Sequence, residues 1–383
     1  MKRAVRSITA AAAGLAAAVL LAAPANAVPA PEKKALALPE AGDVLVLPKP
    51  TGSHPVGREV LHLVDQSRMD PWVPTGPREL MVSVWYPAAA ERGKRVPYAT
   101  AEESRLMLES VGVIGVPSDI LTRVRPHARA GAPPLRSDRR LPLVVVSPGF
   151  SDPRWMLTTL AEDLASRGYV VVGVDHTYEG SGVTFPDGRV TGCLLCEREH
   201  RDGKEIVANR ARDNSFVLDR LLAHATYGRM IDHDRIGVVG HSMGGAAAAG
   251  TMLTDRRVDA GVNLDGGFQQ ALDRDLDRPF LMLSAHFDPN VHIDWNAAWD
   301  HLTGWRQWLD VPLMEHRSYS DAPFVGEWLG VTGWALPGAR SVEITRTYVA
   351  AFFDRHLRNR HSPLLKWPSP WFPEVRFMGP TAE

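Results

Sequence analysis

Residues 236–250 read IGVVGHSMGGAAAAG. A run of β-branched residues ends in Gly240-His241-Ser242-Met243-Gly244, and a row of small residues follows. Strand, tight turn and helix in that order are the setting of a G-x-S-x-G nucleophile elbow. The turn must lift the Ser242 hydroxyl above the end of a strand, in a backbone conformation that is strained for a residue with a Cβ. Gly240 and Gly244 keep side chains out of the places where strand and helix cross. Gly245 and Ala246 to Ala249 let the helix lie close on the sheet, and its first N–H groups point at the reacting centre. The five-residue pattern is common by itself. The strand before it and the helix after it make it specific.

Apolar runs on both sides of the elbow alternate between two periods. Residues 143–147 and 169–174 read as buried strands around a helix at 154–167, and residues 205–224 as a longer helix. Residues 235–239 lead into the elbow. Beyond it, 258–264, 279–284 and 311–315 read as strands, 299–309 as a Trp-rich helix and 341–357 as a closing helix. Earlier, 60–64 and 80–85 are strands separated by the Pro- and Gly-rich turn 71–77, and 102–111 is a short helix. Strands alternating with helices predict the α/β class, with a mostly parallel central sheet covered by helices on both faces. Residues 179–202 follow neither period and are expected to be an insertion.

The chain has 383 residues and a formal net charge of −1 at pH 7 with His neutral, which argues against a nucleic-acid partner. Lys2, Arg3 and Arg6 precede an apolar run at 10–23 and then Ala25-Asn26-Ala27. That pattern predicts a signal peptide over 1–27, cleavage near Ala27 and a secreted, extracellular protein starting near Val28. The apolar run is too short and too Ala-rich to read as a membrane span. Residues 28–55, rich in Pro and Ala, are expected to be a linker or arm, and 56–383 one domain. Cys193 and Cys196 lie in the insertion. In an exported chain a disulfide, or failing that two thiols, ranks above a zinc site recruiting His200.

A serine hydroxyl needs a histidine base and a carboxylate that orients it. In this class of fold they follow in chain order serine, acid, histidine. His316 is the best-placed base, after the apolar residues 311–314 and before the last helix; His286, His292 and His301 compete. Asp265 and Asp288 each follow a strand, and each precedes Gly or Pro as a turn-initiating Asp does. The residues leave both open as the acid, with Asp288 at the commoner strand position. An oxyanion hole needs two backbone N–H groups. Met243 supplies one and Phe150, in Ser147-Pro148-Gly149-Phe150, the other, because Pro148 has no N–H. His286, Asp288, His292 and Asp294 lack a recognised ligand spacing, so neither a metal nor an organic cofactor is expected.

Several segments together resemble the plasma-type, calcium-independent platelet-activating-factor acetylhydrolases, over roughly residues 56–357. They are GHSMGG at 240–245, LPLVVVSPGFSDPRWMLTTLAEDLASRGYVVVGVDHT at 141–177, LMVSVWYPA at 80–88 and RPHARAGAPPL at 125–135. NLDGGF at 263–268 and HRSYSD at 316–321, with Tyr319 at the family's aromatic position, complete the set. The resemblance implies an α/β-hydrolase fold. It also implies a serine carboxylester hydrolase working through an acyl-enzyme, of lipase or phospholipase A2 character, on short or oxidised acyl esters. Family members place the acid one strand after the elbow. That implies Ser242, Asp265 and His316, with Phe150 and Met243 as oxyanion donors and Asp288 as the alternative acid. Many members carry His-Gly where this chain has Pro148-Gly149.

A polyesterase or cutinase-like enzyme is the alternative, since GHSMGG occurs there too. The short Ser-to-Asp spacing, the long N-terminal part and the insertion count against it. A non-catalytic binding protein on the same fold is the third reading. The expected partner is a small-molecule or lipid ester, with the Trp-bearing loop 324–334 touching a lipid interface transiently or lining an acyl pocket. A monomer is expected.

Overall fold

The computed structural model describes residues 39–40, 42–269, 272–286 and 292–379. The expected signal peptide, the first part of the expected arm and Asp288 lie outside the described residues. Eleven strands form one sheet. Its main members are β1 (Val56–Met69), β2 (Pro77–Pro87), β3 (Leu141–Ser147), β4 (Val170–Asp175), β5 (Ile231–His241), β6 (Ala260–Leu264), β7 (Phe280–Ala285), β8 (Arg306–Val311) and β9 (Arg376–Met378). In space they run β9-β8-β7-β6-β5-β3-β4-β2-β1, and the short strands Arg129–Ala130 and Lys94–Arg95 close the β1 edge. The block from β4 to β8 is parallel. The β4/β2, β2/β1 and β8/β9 pairs are antiparallel.

The helices are α1 (Ala101–Ser110), α2 (Thr158–Ser166), α3 (Gly203–Leu222), α4 (Met243–Thr254), α5 (Ile293–His301), α6 (Ala322–Trp328) and α7 (Gly338–Arg358), and a short turn of helix spans Tyr227–Met230. Alternation along β3 shows why the sheet is covered twice. Val144 and Val146 join a core with Leu160 and Leu164 of α2 and Ile344 and Phe352 of α7. Leu143 and Val145 join the opposite core with Val217 and Leu221 of α3 and Met252 of α4. A strand buried on both faces reads as a continuous apolar run, as LPLVVVS does.

The expected α/β architecture is observed, with local corrections. Residues 154–157 form a 3-10 turn ahead of α2. The helix expected at 299–309 ends at His301, and Arg306–Val311 is the strand in place of 311–315. Its side chains alternate: Trp308 enters one core, Leu309 and Val311 the other. Period two between two paired strands outweighs the helical reading of its Trp residues. Residues 324–328, expected as part of the loop 324–334, belong to α6.

The arm also departs from a free linker. Within it Leu45–Val46 pairs in parallel with Val124–Arg125, and Leu47 is buried. The Thr51 N–H and hydroxyl donate to Asp163 of α2 at 2.7 and 2.8 Å. Arg346 of α7 donates to the Lys49 carbonyl at 2.8 Å. In the insertion a small hairpin pairs Val183–Thr184 with Val190–Thr191, and Cys193 and Cys196 form a disulfide. No helix among the described residues is long and apolar enough to cross a membrane.

Candidate active site

Parallel strands end together, so the loops beyond β3, β5, β6 and β8 gather at one edge of the sheet. Ser242 follows β5 with φ 54° and ψ −123°, the strained turn expected of an elbow. Its N–H donates to Leu264 O at 2.8 Å, and its carbonyl accepts from Gly245 at 2.8 Å and Ala246 at 3.2 Å. Gly244 is obligatory for space: a Cβ there would stand 2.1 Å from the Ser147 carbonyl oxygen.

One strand on, Asp265 is held with φ 56° by an N–H bond to Leu283 O at 2.8 Å. The Asn263 side chain closes the turn, accepting from the Gly266 N–H at 2.7 Å and donating to its carbonyl at 2.8 Å. His316 opens a 3-10 turn, His316–Tyr319, capped by Glu315. Buried Tyr319 anchors that turn by donating its hydroxyl to Ser284 O at 2.8 Å.

These loops bring three predicted residues into one chain of hydrogen bonds. His316 Nδ1 lies 2.7 Å from Asp265 Oδ2, and His316 Nε2 lies 2.8 Å from Ser242 Oγ. A carboxylate only accepts, so Nδ1 carries the proton and Nε2 is left to accept from the serine hydroxyl. Asp265 also accepts from the Ala285 N–H at 2.7 Å and from His292 Nε2 at 3.1 Å. Burial alone pushes this carboxyl up. The hydrogen bonds from His292 and His316 outweigh burial and hold it below the usual carboxylate range. Exposure falls inward along the chain: the His316 side chain is 53% accessible and that of Asp265 4%. His316 therefore meets solvent while Asp265 stays dry.

Two further contacts steady His316. His241 Nε2 donates to the His316 carbonyl at 2.7 Å, and Arg317 pairs with buried Asp152 at 2.7 Å. No described residue accepts a hydrogen bond from the Phe150 or Met243 N–H. Phe150 and Met243 line a hollow of about 190 Å³ with Arg201, Gly203, Ile206 and Gln269. On the base side, Arg317 is on the wall of an apolar cavity of about 230 Å³ between α1 and α6. Met107, Leu108, Trp155, Val325 and Trp334 also line it.

Of the competing histidines, His292 joins the site, but on the acid's other oxygen rather than on the serine. His301 pairs with Asp275 at 2.9 Å and belongs to the surface. Of the Trp residues near the base, Trp295 and Trp308 are core, and Trp305 packs on Phe352 and His356. The roles of His292, His241 and Arg317 leave no pattern in the sequence, because their partners lie far away along the chain. His241 inside the elbow motif was the one available hint.

Fold and site define the class: an α/β hydrolase. Two family descriptions match the chain, platelet-activating factor acetylhydrolase isoform II over residues 44–187 and the dienelactone hydrolase family over 132–301. It is 31% identical over 380 residues to a probable 1-alkyl-2-acetylglycerophosphocholine esterase of Arthroderma benhamiae, covering 87% of this chain and 94% of that protein. A ferulic acid esterase from Streptomyces cinnamoneus has a similar structure, with a TM-score of 0.80 and 46% identity over 88% of this chain and all of the other. A cutinase of Thermobifida alba is 29% identical over 150 residues, 38% of this chain and 41% of that one. The chain belongs to the platelet-activating-factor-acetylhydrolase-like esterases and is a carboxylic ester hydrolase.

Proposed function

We propose that this esterase works through an acyl-enzyme on Ser242, with His316 as base, Asp265 as orienting acid and the Phe150 and Met243 N–H groups as the oxyanion hole. The observation that carries the reading is the continuous chain Ser242–His316–Asp265, at 2.8 and 2.7 Å. His316 takes the Ser242 proton as Oγ attacks the ester carbonyl, and the N–H pair receives the charge on the carbonyl oxygen. The alcohol leaves with the proton from His316. Water, deprotonated by the same histidine, then releases the acid. No step calls for a metal or an organic cofactor.

The substrates we infer are esters with a short or otherwise compact acyl group, phospholipid-like esters among them. A cavity of about 150 Å³ takes a benzene ring. The apolar one beside Arg317, of about 230 Å³, suits a short chain or one substituted ring. Trp155 and Trp334 on its wall, with the likeness to a ferulic acid esterase, favour a second reading in which the acyl group is aromatic. We also propose export, with cleavage near Ala27. The Cys193–Cys196 disulfide supports it, because such bonds persist in oxidising compartments.

Hydrolysis of p-nitrophenyl acetate, butyrate and palmitate, and of methyl ferulate, tests the reading. Ser242→Ala should abolish turnover and labelling by a fluorophosphonate. Acetate and butyrate should exceed palmitate at least about ten-fold in kcat/KM. Palmitate turned over fastest would remove the compact-acyl reading, and ferulate preferred over both short esters would establish the aromatic one.

A further inference from the structure

We propose that Arg210 is a positioning residue for the oxyanion hole. Its guanidinium, clamped by Glu179, holds the peptide that presents the Phe150 N–H. The proposal rests on Phe150 as an oxyanion donor.

Arg210 projects from α3 and is 1% exposed. Its Nη1 donates to Pro148 O at 2.6 Å and its Nη2 to Gly149 O at 3.4 Å. A trans peptide is planar, with its C=O and N–H pointing in opposite directions. The Gly149 carbonyl and the Phe150 N–H belong to one such plane. A cation that draws the carbonyl to the α3 side therefore turns the N–H to the other side. The Asp152 N–H adds a bond to the same carbonyl at 3.3 Å, while the Phe150 N–H has no acceptor among the described residues. The result is a donor aimed before substrate arrives, and preset donors are what stabilise a developing oxyanion.

The guanidinium is itself fixed. Its Nε donates to Glu179 Oε2 at 2.6 Å. The other oxygen of Glu179 accepts from Trp72 Nε1 at 3.1 Å and Asn209 Nδ2 at 3.4 Å. The Glu179 carbonyl accepts from the Ser151 N–H at 2.9 Å, and Ser151 returns its carbonyl to the Ser181 N–H at 2.9 Å. The start of the insertion thus grips the oxyanion loop from both backbone and side chain. A planar fork reaches a carboxylate and two carbonyls at once; a lysine ammonium on the same stem does not. If Arg210 only neutralised buried Glu179, its loss would lower stability and leave the chemistry alone.

The test measures kcat and KM on p-nitrophenyl acetate, affinity for a trifluoromethyl ketone that adds to Ser242, and Tm. The variants are Arg210→Met, Arg210→Lys and the double variant Glu179→Gln/Arg210→Met, which removes the buried pair together and so leaves no lone charge. Arg210→Met should lower kcat roughly 100-fold, the scale of one lost oxyanion donor, and weaken the ketone by a like factor. KM should stay within about three-fold, because the ground state makes little use of the hole. Arg210→Lys should recover part of kcat, and the double variant should keep the loss. If Arg210→Met does not fold, the double variant carries the same expectation and Arg210→Lys that of a smaller loss. Folded Arg210→Met, or the folded double variant, with kcat within about three-fold of wild type or with its whole loss in KM overturns the proposal. Failure of the Ser242 reading shows separately, as wild-type protein without ester turnover or Ser242→Ala with full activity.

Discussion

Three donors converge on the two oxygens of Asp265: His316, His292 and the Ala285 amide. Asp265→Asn should cut kcat by roughly 10³–10⁴, because an amide in that place favours the wrong imidazole tautomer. Asp288→Asn should leave kcat on p-nitrophenyl acetate within about two-fold. A large loss in the second variant and none in the first would move the acid to Asp288. His292→Gln should cost less, about ten-fold in kcat, since two of the three bonds remain. Residues also show where sequence reading stops. Ser242 and His316 are visible from local pattern, one by its motif and the other by its place between a strand and the last helix. The acid is not, because two aspartates follow strands in turn-forming company. The resemblance implies Asp265, which the fold places 2.7 Å from His316 Nδ1. His292 was visible only as a rival base, since nothing local tells which end of the relay a histidine serves.

At the level of elements, the elbow is a packing device as much as a catalytic one. Helix α4 crosses β3 so closely that a methyl group on Gly244 would meet backbone, which cannot rotate away. Gly244→Ala should cost at least about 3 kcal/mol, read as a lower denaturation midpoint in guanidinium chloride. An unchanged midpoint would mean that α4 sits more loosely on the sheet than described. The Cys193–Cys196 bond closes a loop of sequence separation 3. So short a loop restricts the unfolded chain little, and Cys193→Ser/Cys196→Ser should lower stability by about 2 kcal/mol or less on the same assay. Elements with one clear period were legible: the strands at 143–147 and 258–264, the elbow and the closing helix. Those set by pairing were not. The strand Arg306–Val311 is defined by its neighbours β7 and β9, whereas the Trp-rich stretch 299–309 reads as a helix on its own.

For the molecule as a whole, Asp321 ties several layers together. Its carboxylate accepts from Thr159 Oγ1 of α2 at 2.5 Å and Tyr98 OH at 3.1 Å, and its N–H reaches Met156 O at 2.8 Å. Burial pushes this carboxyl up to about 7, with the Thr159 and Tyr98 hydrogen bonds pulling only partly the other way. An unfolded aspartate ionises near pH 4. Between about pH 4 and 7 the folded chain therefore holds a proton that the unfolded chain has lost, and stability falls as pH rises through that window. Asp321→Asn removes the titration. Its Tm should change less between pH 5 and 8 than that of wild type, by a few degrees. Equal slopes would show that Asp321 stays ionised in the fold.

The docked arm has one more consequence, for the order in which the chain folds. Synthesis delivers residues 45–54 well ahead of the residues they pair with. Their partners come much later: Val124–Arg125, then Asp163 and Ser166, then Arg346 near the far end. The leading segment can begin to pair once Val124–Arg125 is present, but its last tie, to Arg346, waits until almost the entire polypeptide has emerged. It is tied at several places along the chain, as a latch closed from behind, and a protein cut before Arg346 would lack the last of those ties.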